Sequence, residues 1–493
     1  MSERIDTMLI SYEAVPFAKV GGLGDVAGAL PDALAEVGIR ARLVMPRFAQ
    51  IDPESLGFEE VPVPADWHVG IDFQDHPFRA WRGRTPGGAE VWMLGDERHF
   101  GAPGIYADPD GRPFPNELER MVFFAKGALE LAKCRQWRPR VIHANDFQTA
   151  LSLAYVRQTY AHEPAFAGAG LVYSIHNLAY QGVFPGERLA TMGFGPEYLE
   201  PMGPFEFHGA VNLMKVGISY ADVVHTVSPT YAREILGSEQ GAGLEGVLEA
   251  QRHKLVGILN GIDEGVWNPA DDPALVASFD RDDPKGKAAC RADLLSAYGL
   301  GDVPEDWPVV GFVGRLVAQK GVELITGVLD DLLATDAVFV ALGTGAKEYE
   351  DALRAAAARH PDRCGVRIGF DDALAHRLTA GADLFLMPSR YEPCGLNQMY
   401  AQRYGTIPVV RRTGGLADTV EPFDAATGKG TGFLFDDFDA GALADALGRA
   451  IDAWSRPADR ARLRRNGMGC GFGWSHRAPE YRRLYERAMR AAR

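Results

Sequence analysis

The fold is decided by the apolar run Met8-Leu9-Ile10 and, further along, the string Lys19-Val20-Gly21-Gly22-Leu23-Gly24-Asp25. The apolar run predicts a buried strand, and Ala27 to Val37, with apolar residues at helical spacing, predicts a helix. The string between them is a strand-to-helix turn, whose glycines allow positive φ and close approach of a ligand. A helix start beside the charge of Lys19 suits a phosphate group. A tight turn carrying a solvated lysine is the alternative, since the G-x-G-x-x-G spacing is absent.

Composition limits the classes of protein that this chain can belong to. Its 493 residues are enough for at least two domains, and a formal net charge of −15 argues against a nucleic-acid partner. The five cysteines form no C-x-x-C pair, which argues against a disulfide framework or a zinc site and favours a reducing compartment. The N-terminus has no signal-peptide core and no run is long enough to span a membrane. We therefore expect a cytoplasmic protein with no membrane partner.

Short apolar runs alternate with helical patterns along most of the chain. They lie at 8–11, 41–45, 91–94, 141–143, 171–175 and 223–226, and then at 309–313, 338–342, 366–368, 384–387 and 407–410. The alternation predicts an α/β fold with two doubly wound parallel sheets, and two such units facing each other would form a ligand-binding cleft. Residues 260–310, rich in proline and charge, are predicted as a surface excursion after the domain crossover. Apolar spacing also predicts a terminal helix between Phe472 and Arg493.

Polar side chains follow two strands of the first series. Asp146 comes directly after one strand at a predicted helix start, where capping of that helix is the alternative to a functional role. His176 and Asn177 leave the next strand and enter a polar, aromatic loop, where both side chains suit hydrogen bonds to sugar hydroxyls. A structural histidine is the alternative for His176.

Charged and glycine-rich turns follow two strands of the second series. Arg315 offers bidentate contacts and Lys320 a point charge, and the two suit a diphosphate if the turn brings them together. Two solvated cations are the alternative. Gly343 and Gly345 end the next strand, where they permit close approach of a nucleotide or simply form a turn.

Glu392 lies in a loop between a strand ending at Met387 and a helix predicted to begin near Gly395. In this position it would place a carboxylate near a reacting carbon, while the helix start presents N–H groups to sugar hydroxyls. The alternative is that Glu392 only interacts favourably with the helix dipole.

Several of these strings together resemble one known family. They are Lys19 to Val26, Tyr173 to Gly182, Gly314 to Gly321, Pro388 to Gln398 and Thr413 to Val420. They resemble the motifs of the bacterial glycogen synthases and plant starch synthases (family GT5), which are retaining glycosyltransferases with the GT-B fold. The Glu-Pro-Cys-Gly-Leu string at Glu392 matches almost letter for letter. Many other retaining GT-B enzymes carry a second glutamate eight positions later, and Tyr400 at that position favours the synthase branch.

The resemblance implies two Rossmann-like domains facing an interdomain cleft. Residues 1–258 would form a glucan-acceptor domain, completed by a helix at 473–493, and residues 259–472 a nucleotide-sugar-binding domain. The implied catalytic residues are Glu392, His176, Arg315 and Lys320. The implied substrate-binding residues are Lys19, Gly21, Gly22, Glu13, Asp25, Asp146, Asn177, Asn260, Gly343, Gly345, Cys394, Gly395, Leu396 and Asn397.

The implied reaction moves glucose from ADP-glucose to the non-reducing end of an α-1,4-glucan (glycogen) with retention of configuration. Lys19, Arg315 and Lys320 would offset charge on the departing diphosphate, and Glu392 with His176 would stabilise charge on the sugar. Basic residues take the place of a metal in this family, so we expect neither a metal nor a cofactor. Val20 and Asn397 depart from common family residues, which bears on the preference for the donor base.

Three alternatives stay open at the level of sequence. One is another retaining GT-B enzyme that uses UDP-glucose, since only the resemblance favours ADP-glucose. A second is a glucan phosphorylase-like enzyme, which would need a lysine-bound pyridoxal cofactor. The third is a non-catalytic, two-domain sugar-binding protein.

Overall fold

A computed structural model describes residues 4–301 and 303–492 of the chain. Met1 to Glu3, which belong to the predicted leaderless N-terminus, and Arg493 of the predicted terminal helix lie outside the described residues. Two compact units are present. Unit 1 comprises Met1–Val227, Ala232–Gly261 and Trp474–Arg493, and unit 2 comprises Ser228–Tyr231 and Ile262–Gly473. None of the helices within the described ranges combines the length and the apolar character that a membrane crossing requires.

Among the described residues, unit 1 contains fourteen strands and unit 2 contains six. Those of unit 1 are β1 Ile5–Ile10, β2 Ile39–Pro46, β3 Glu59–Val61, β4 His68–Ile71, β5 Gln74–Pro77, β6 Arg79–Arg84, β7 Glu90–Gly95, β8 Val141–Asn145, β9 Gly170–Ile175, β10 Val183–Pro185, β11 Glu206–Phe207, β12 Ala210–Asn212, β13 Val223–Thr226 and β14 Leu255–Gly257. Those of unit 2 are β15 Val309–Val313, β16 Val338–Gly343, β17 Cys364–Ile368, β18 Leu384–Met387, β19 Ile407–Arg411 and β20 Phe433–Phe435.

The helices alternate with these strands, as the periodicity predicts. They are α1 Gly22–Glu36, α2 Glu97–Phe100, α3 Glu117–Cys134, α4 Leu151–Arg157, α5 Leu213–Tyr220, α6 Pro229–Glu234, α7 Glu245–Ala250, α8 Gly286–Ala297, α9 Val322–Leu333, α10 Lys347–Arg359, α11 Asp372–Gly381, α12 Asn397–Arg403, α13 Gly414–Thr419, α14 Ala440–Ser455, α15 Pro457–Met468 and α16 Trp474–Ala491. Short 3-10 turns at Phe147–Thr149 and Ala318–Lys320 follow β8 and β15.

The main sheet of unit 1 has nine strands in the order β14-β13-β9-β8-β1-β2-β7-β6-β3. Strands β14 to β7 pair in parallel, and β8 and β9 are buried along their whole length because helices cover both faces. The prediction of a purely parallel sheet is wrong at one edge, where β6 and β3 pair antiparallel. These edge strands are mostly polar, with one apolar residue in β3 and two adjacent ones in β6, so the sequence contains no apolar run that would predict them.

The terminal helix α16 supplies part of the core of unit 1. Its buried face includes Tyr481, Leu484 and Tyr485, which cluster with Ile5 of β1 and Val172 of β9. The apolar spacing that predicted this helix is therefore the spacing of a core-facing stripe.

The sheet of unit 2 has six parallel strands in the order β17-β16-β15-β18-β19-β20. Alternate residues of β15 face opposite cores: Val310 packs in a cluster with residues of α9 and α14, and Val309 packs with residues of α8 and α11. The two-domain α/β architecture with parallel sheets is confirmed. The predicted surface excursion at 260–310 is wrong in part, because it contains α8, whose Leu294 is fully buried.

Candidate active site

Both main sheets have a switch point, where successive connections leave a strand in opposite directions. In unit 1 the chain goes from β1 to β2 on one side and later returns to β8 on the other side. In unit 2 the same relation holds for β15, with β16 on one side and β18 on the other. Ligands of open α/β sheets bind beyond the carboxyl ends of the strands at such points. The predicted site residues can be assessed at these two places, each within its own unit.

Glu13 organises the loop that follows β1. Its side chain is buried, and Oε2 accepts hydrogen bonds from the backbone N–H groups of Val20 (2.5 Å) and Gly21 (2.9 Å). The hydroxyl of Tyr106 donates to Oε1. Burial raises the pKa of Glu13, although these three hydrogen bonds oppose the shift. The carboxylate therefore holds the glycine turn in one shape.

The glycine turn differs from the sequence expectation in its backbone. Gly21 precedes α1 with a φ of −139°, so the turn does not use positive φ at that residue. A Cβ added at Gly24 would lie 3.2 Å from Cγ of Lys19, which shows that this glycine permits close packing beneath the lysine. Lys19 Nζ donates to Asp25 Oδ1 at 2.8 Å. The lysine is thus ion-paired at the helix start while its side chain stays 38% exposed, so its role at a phosphate stays a prediction.

Asp146 does not cap the turn that follows it, so the capping interpretation is wrong. Its Oδ1 accepts a hydrogen bond from the backbone N–H of His176 at 2.7 Å, and Asn177 N–H is a second donor. Asp146 also holds a φ of 55°, which is uncommon for a residue other than glycine and recurs at functional sites. Burial raises the pKa of Asp146 to about 7, and the charge of Glu13 contributes to that rise. A carboxylate from the end of β8 thus positions the end of β9.

His176 is held as a neutral ring. Burial lowers its pKa to about 3, and Nε2 lies 2.9 Å from Oδ1 of Asn145. Because that amide oxygen can only accept, Nε2 carries the proton and Nδ1 is left as an acceptor. The side-chain oxygen of Asn177 accepts from the N–H of Ala179 at 3.1 Å. This arrangement lets His176 accept a hydrogen bond from a hydroxyl group.

Asn260 lies just beyond β14 in unit 1 and is 4% exposed. Its side-chain oxygen is buried with no hydrogen-bond partner among the described residues. An unsatisfied buried acceptor is costly, so a ligand donor at this position would be stabilising.

Glu392 and Lys320 meet at the switch point of unit 2. Lys320 Nζ donates to Glu392 Oε2 at 2.6 Å, and Ser389 Oγ donates to the same oxygen at 2.9 Å. The side chains of Lys320 and Glu392 are 20% and 7% exposed, so Lys320 is not the solvated cation of the alternative interpretation. Arg315 is exposed, and its guanidinium donates to Gln319 at 3.3 Å.

The loop of Glu392 leads into α12. Gly395 has a φ of +70°, and α12 begins at Asn397, two residues beyond the predicted start near Gly395. Leu396 precedes the helix, and the amide of Asn397 donates to Val313 O at 2.9 Å. Asn397 therefore ties this loop to the end of β15.

Glycines let neighbouring strand ends approach each other around this loop. A Cβ at Gly414, where φ is +44°, would lie 1.9 Å from the carbonyl oxygen of Glu392, and one at Gly415 would lie 2.0 Å from that of Cys394. A Cβ added at Gly343 would lie 2.0 Å from the carbonyl oxygen of Gly314. One added at Gly345 would lie 2.2 Å from the carbonyl oxygen of Leu316. At all four positions the close approach is between segments of the protein.

Three residues near these strand ends were not predicted as site residues from the sequence. Tyr106 contacts Glu13 from 93 positions along the chain, a distance at which no local pattern could connect them. Ser389 lies inside the string quoted for Glu392, and its place three residues before the glutamate was a usable signal. Phe370, which follows β17, is 83% exposed and offers an aromatic face at the carboxyl edge of the sheet.

Comparison with known proteins agrees with this fold and these motifs. Residues 7–250 match the starch synthase catalytic domain family, and residues 301–468 match the glycosyl transferases group 1 family. A glycogen synthase of Anaeromyxobacter dehalogenans (strain 2CP-C) is 47% identical over 480 residues, covering 97% of this chain and 98% of that protein. A glycogen synthase of Thermotoga maritima is 41% identical over 486 residues and 98% of both chains.

Solved structures extend the comparison to three dimensions. The catalytic domain of starch synthase IV from Arabidopsis thaliana, bound to ADP and acarbose, has a TM-score of 0.90 and 32% identity, covering 99% of this chain and all of that one. Sucrose-phosphate synthase from Thermosynechococcus elongatus, with a TM-score of 0.61 and 19% identity, shares the fold.

Two Rossmann-like units with this set of motifs at the ends of their strands define a glycosyltransferase enzyme with the GT-B fold. Within this class of enzyme, the comparisons identify one family. The chain belongs to the family of bacterial glycogen synthases and plant starch synthases.

Proposed function

We propose that this enzyme transfers glucose from ADP-glucose to the non-reducing end of an α-1,4-glucan and retains the anomeric configuration. The observation that carries the proposal is the Lys320–Glu392 pair, which joins two family motifs 72 residues apart at the switch point of unit 2. A relative of known structure with ADP bound supports the choice of nucleotide.

The reaction first requires that the negative charge of the departing diphosphate be stabilised, and cations suit this role. Lys320 supplies a charge beside the end of β15, and Arg315 supplies a second cation in the same turn. In the structure the ammonium of Lys320 is engaged by Glu392, so binding of a diphosphate would let it share its three N–H donors between two anions. Phe370 offers a face on which a base can stack.

The reaction also requires that the positive charge on the sugar ring be stabilised, and Glu392 suits this role. Cleavage of a glycosyl–phosphate bond develops positive charge on the ring, and a fixed carboxylate stabilises that charge most in the transition state. Lys320 and Ser389 both donate to one oxygen of Glu392, which keeps the group oriented. The neutral His176 of unit 1 accepts a hydrogen bond from a glucosyl hydroxyl through Nδ1.

The acceptor glucan is assigned to unit 1. A cavity of about 490 Å³ lies beside the residues that follow Asp146 and Asn177. Its lining includes the aromatic rings of Phe147, Tyr180 and Phe184. Aromatic faces with nearby polar groups suit glucosyl units, which present both C–H faces and hydroxyl edges.

Transfer is proposed to need no metal ion or organic cofactor, because basic side chains are available for the diphosphate in unit 2. Full activity after treatment with a chelator would agree with this assignment, and a requirement for added Mg²⁺ or Mn²⁺ in a protein that remains folded would contradict it. A cytoplasmic location is proposed because the cysteine content favours a reducing compartment.

The decisive test compares initial rates with ADP-glucose and UDP-glucose on one glycogen primer. We expect release of ADP with incorporation of glucose, a much lower rate with UDP-glucose, and an α-linked product in the NMR spectrum. Faster turnover of UDP-glucose would overturn the donor assignment. Release of ADP without growth of the glucan would overturn the acceptor assignment.

A further inference from the structure

Unit 1 contains a compact group of metal-ligating side chains that the reaction does not use. His76, Asp96 and His99 each offer one ligand atom, and these atoms all lie within 4.8 Å of one another. Across residues 4–301 and 303–492 no other group of three histidine, cysteine or acidic side chains meets this distance. The sequence argument considered zinc only through cysteine spacing and therefore did not examine these histidines.

The three side chains come from separate elements that converge. His76 is the buried residue of β5, whose other residues are exposed, and it is only 5% exposed. Asp96 precedes α2 and accepts hydrogen bonds from the N–H and from Nδ1 of His99, at 2.8 and 2.9 Å. The rings of His76 and His99 lie edge to face with centroids 5.1 Å apart.

Each imidazole is oriented by a neighbour. His99 stacks on Phe123 at 4.3 Å with an interplanar angle of 14°, and His76 hydrogen-bonds the backbone of Ile71 in its own hairpin. Histidines that bind metals are typically oriented by hydrogen bonds of their second ring nitrogen to a backbone or carboxylate oxygen. Two oriented imidazoles beside a carboxylate form a donor set typical of zinc and its neighbours, and not of magnesium or calcium.

The charges around the group are compatible with a bound cation. Three arginines lie nearby, and each is directed to an oxygen partner: Arg47 to Glu97 at 3.6 Å, Arg79 to Glu60 at 2.6 Å and Arg98 to Gln74 at 3.1 Å. Asp96, which is only partly buried, also lines a cavity of about 170 Å³ together with Glu97, Arg47 and Arg79, so one ligand of the group faces this cavity.

We propose that His76, Asp96 and His99 bind one divalent transition-metal ion of the zinc class, with water as the fourth ligand. Bonds of about 2.0–2.1 Å in a tetrahedral site separate ligand atoms by roughly 3.4 Å. Binding therefore moves His76 inward by about an ångström, which its otherwise exposed strand allows. The ion ties the β4–β5 hairpin to α2, so its role is structural and separate from glucosyl transfer.

The test uses the untagged full-length protein after removal of metals by a chelator. We expect one equivalent of Zn²⁺ to bind and to raise Tm by a few degrees, whereas Mg²⁺ has no such effect. Co²⁺ in place of Zn²⁺ should give the visible absorption of a tetrahedral nitrogen–oxygen site. Absence of both the Tm shift and the absorption in the unaltered protein would overturn the proposal without any variant.

Variants then locate the ion. His76→Gln should weaken Zn²⁺ binding by more than about 10-fold and abolish the Co²⁺ absorption. His68→Ala is the matched control, because His68 belongs to the same hairpin but is a surface residue paired with Asp75. Asp96→Asn keeps an oxygen for the N–H of His99 while weakening the ligand. Equal binding by His76→Gln and the control would show that the ion lies elsewhere and would refute the site.

Discussion

Replacing Glu392 by Gln separates the structural and the chemical contributions of its carboxylate. The ion pair with Lys320 is 2.6 Å long, and its two side chains are 20% and 7% exposed. A charge-assisted hydrogen bond contributes about 1.5–3 kcal/mol, and leaving a fully buried charge unpaired costs about 3–5 kcal/mol. Because water reaches Lys320, we expect Glu392→Gln to lower the free energy of unfolding by about 2 kcal/mol.

Glu392→Gln should affect catalysis more strongly than stability, and the effect should appear in kcat and not in the donor KM. If the carboxylate stabilises charge that develops only in the transition state, kcat falls by about two orders of magnitude or more. The donor KM should stay level or decrease, because Lys320 loses its partner and is free to contact the diphosphate. Steady-state release of ADP from ADP-glucose and glycogen measures both constants, and thermal and denaturant unfolding measures stability.

A double-mutant cycle with Lys320→Met tests whether the pair exists in solution. The two substitutions should be non-additive in stability by about 1–2 kcal/mol, as expected for groups in contact. Glu323→Gln is the matched control, because Glu323 forms a more exposed pair with Arg390, at 3.0 Å, and should change stability by less than about 1 kcal/mol. A coupling near zero would refute the ion pair. A folded Glu392→Gln variant with near-normal kcat would refute the electrostatic role.

Three further outcomes are expected at other parts of the site. Lys19→Ala should raise the donor KM by roughly 10- to 150-fold, the range of one lost charge-assisted hydrogen bond, with little loss of stability because its ion pair is exposed; unchanged donor kinetics would remove Lys19 from the site. Asp146 has a folded-state pKa of about 7, raised above its unfolded value, so stability relative to Asp146→Asn should decrease as pH rises from about 4 to 7 and then stay level. Parallel unfolding curves for the two proteins across that range would contradict the burial of this carboxyl group. Gly414→Ala should lower both kcat and Tm, because its Cβ would lie 1.9 Å from the carbonyl oxygen of Glu392, whereas Gly448→Ala in α14 meets no atom within 4 Å and should be neutral or slightly stabilising. Equal behaviour of these two glycine variants would show that the loop of Glu392 tolerates the added methyl group.

The alternation of apolar runs and helical patterns was sufficient to predict the two sheets, because strands buried on both faces carry continuous apolar runs. The same signal missed the antiparallel edge strands β3 and β6 and the helix α8, which are only partly apolar. Partial burial weakens the pattern on which such a prediction depends.

Within the site, the residue types were predictable but their partners were not. Asp146 at a helix start has the pattern of a cap, yet its carboxylate serves a strand end 30 residues away. The position of Glu392 in a loop was predictable, whereas its ion pair with Lys320 and its exposure of only 5% were not. Tertiary contacts of this kind depend on which strands become neighbours, and local spacing carries no information about them.

The return of α16 to unit 1 has a consequence for biosynthesis. The sheet face around Val141, Val172 and Val223 is made early, but its cover begins at Trp474 and is translated after the 212 residues from Ile262 to Gly473. At typical elongation rates this delay lasts roughly 10–40 s. For that time the nascent polypeptide carries an uncovered apolar surface, which favours chaperone binding on the ribosome. Completion of unit 1 therefore waits until α16 has been translated, after all of Ile262–Gly473.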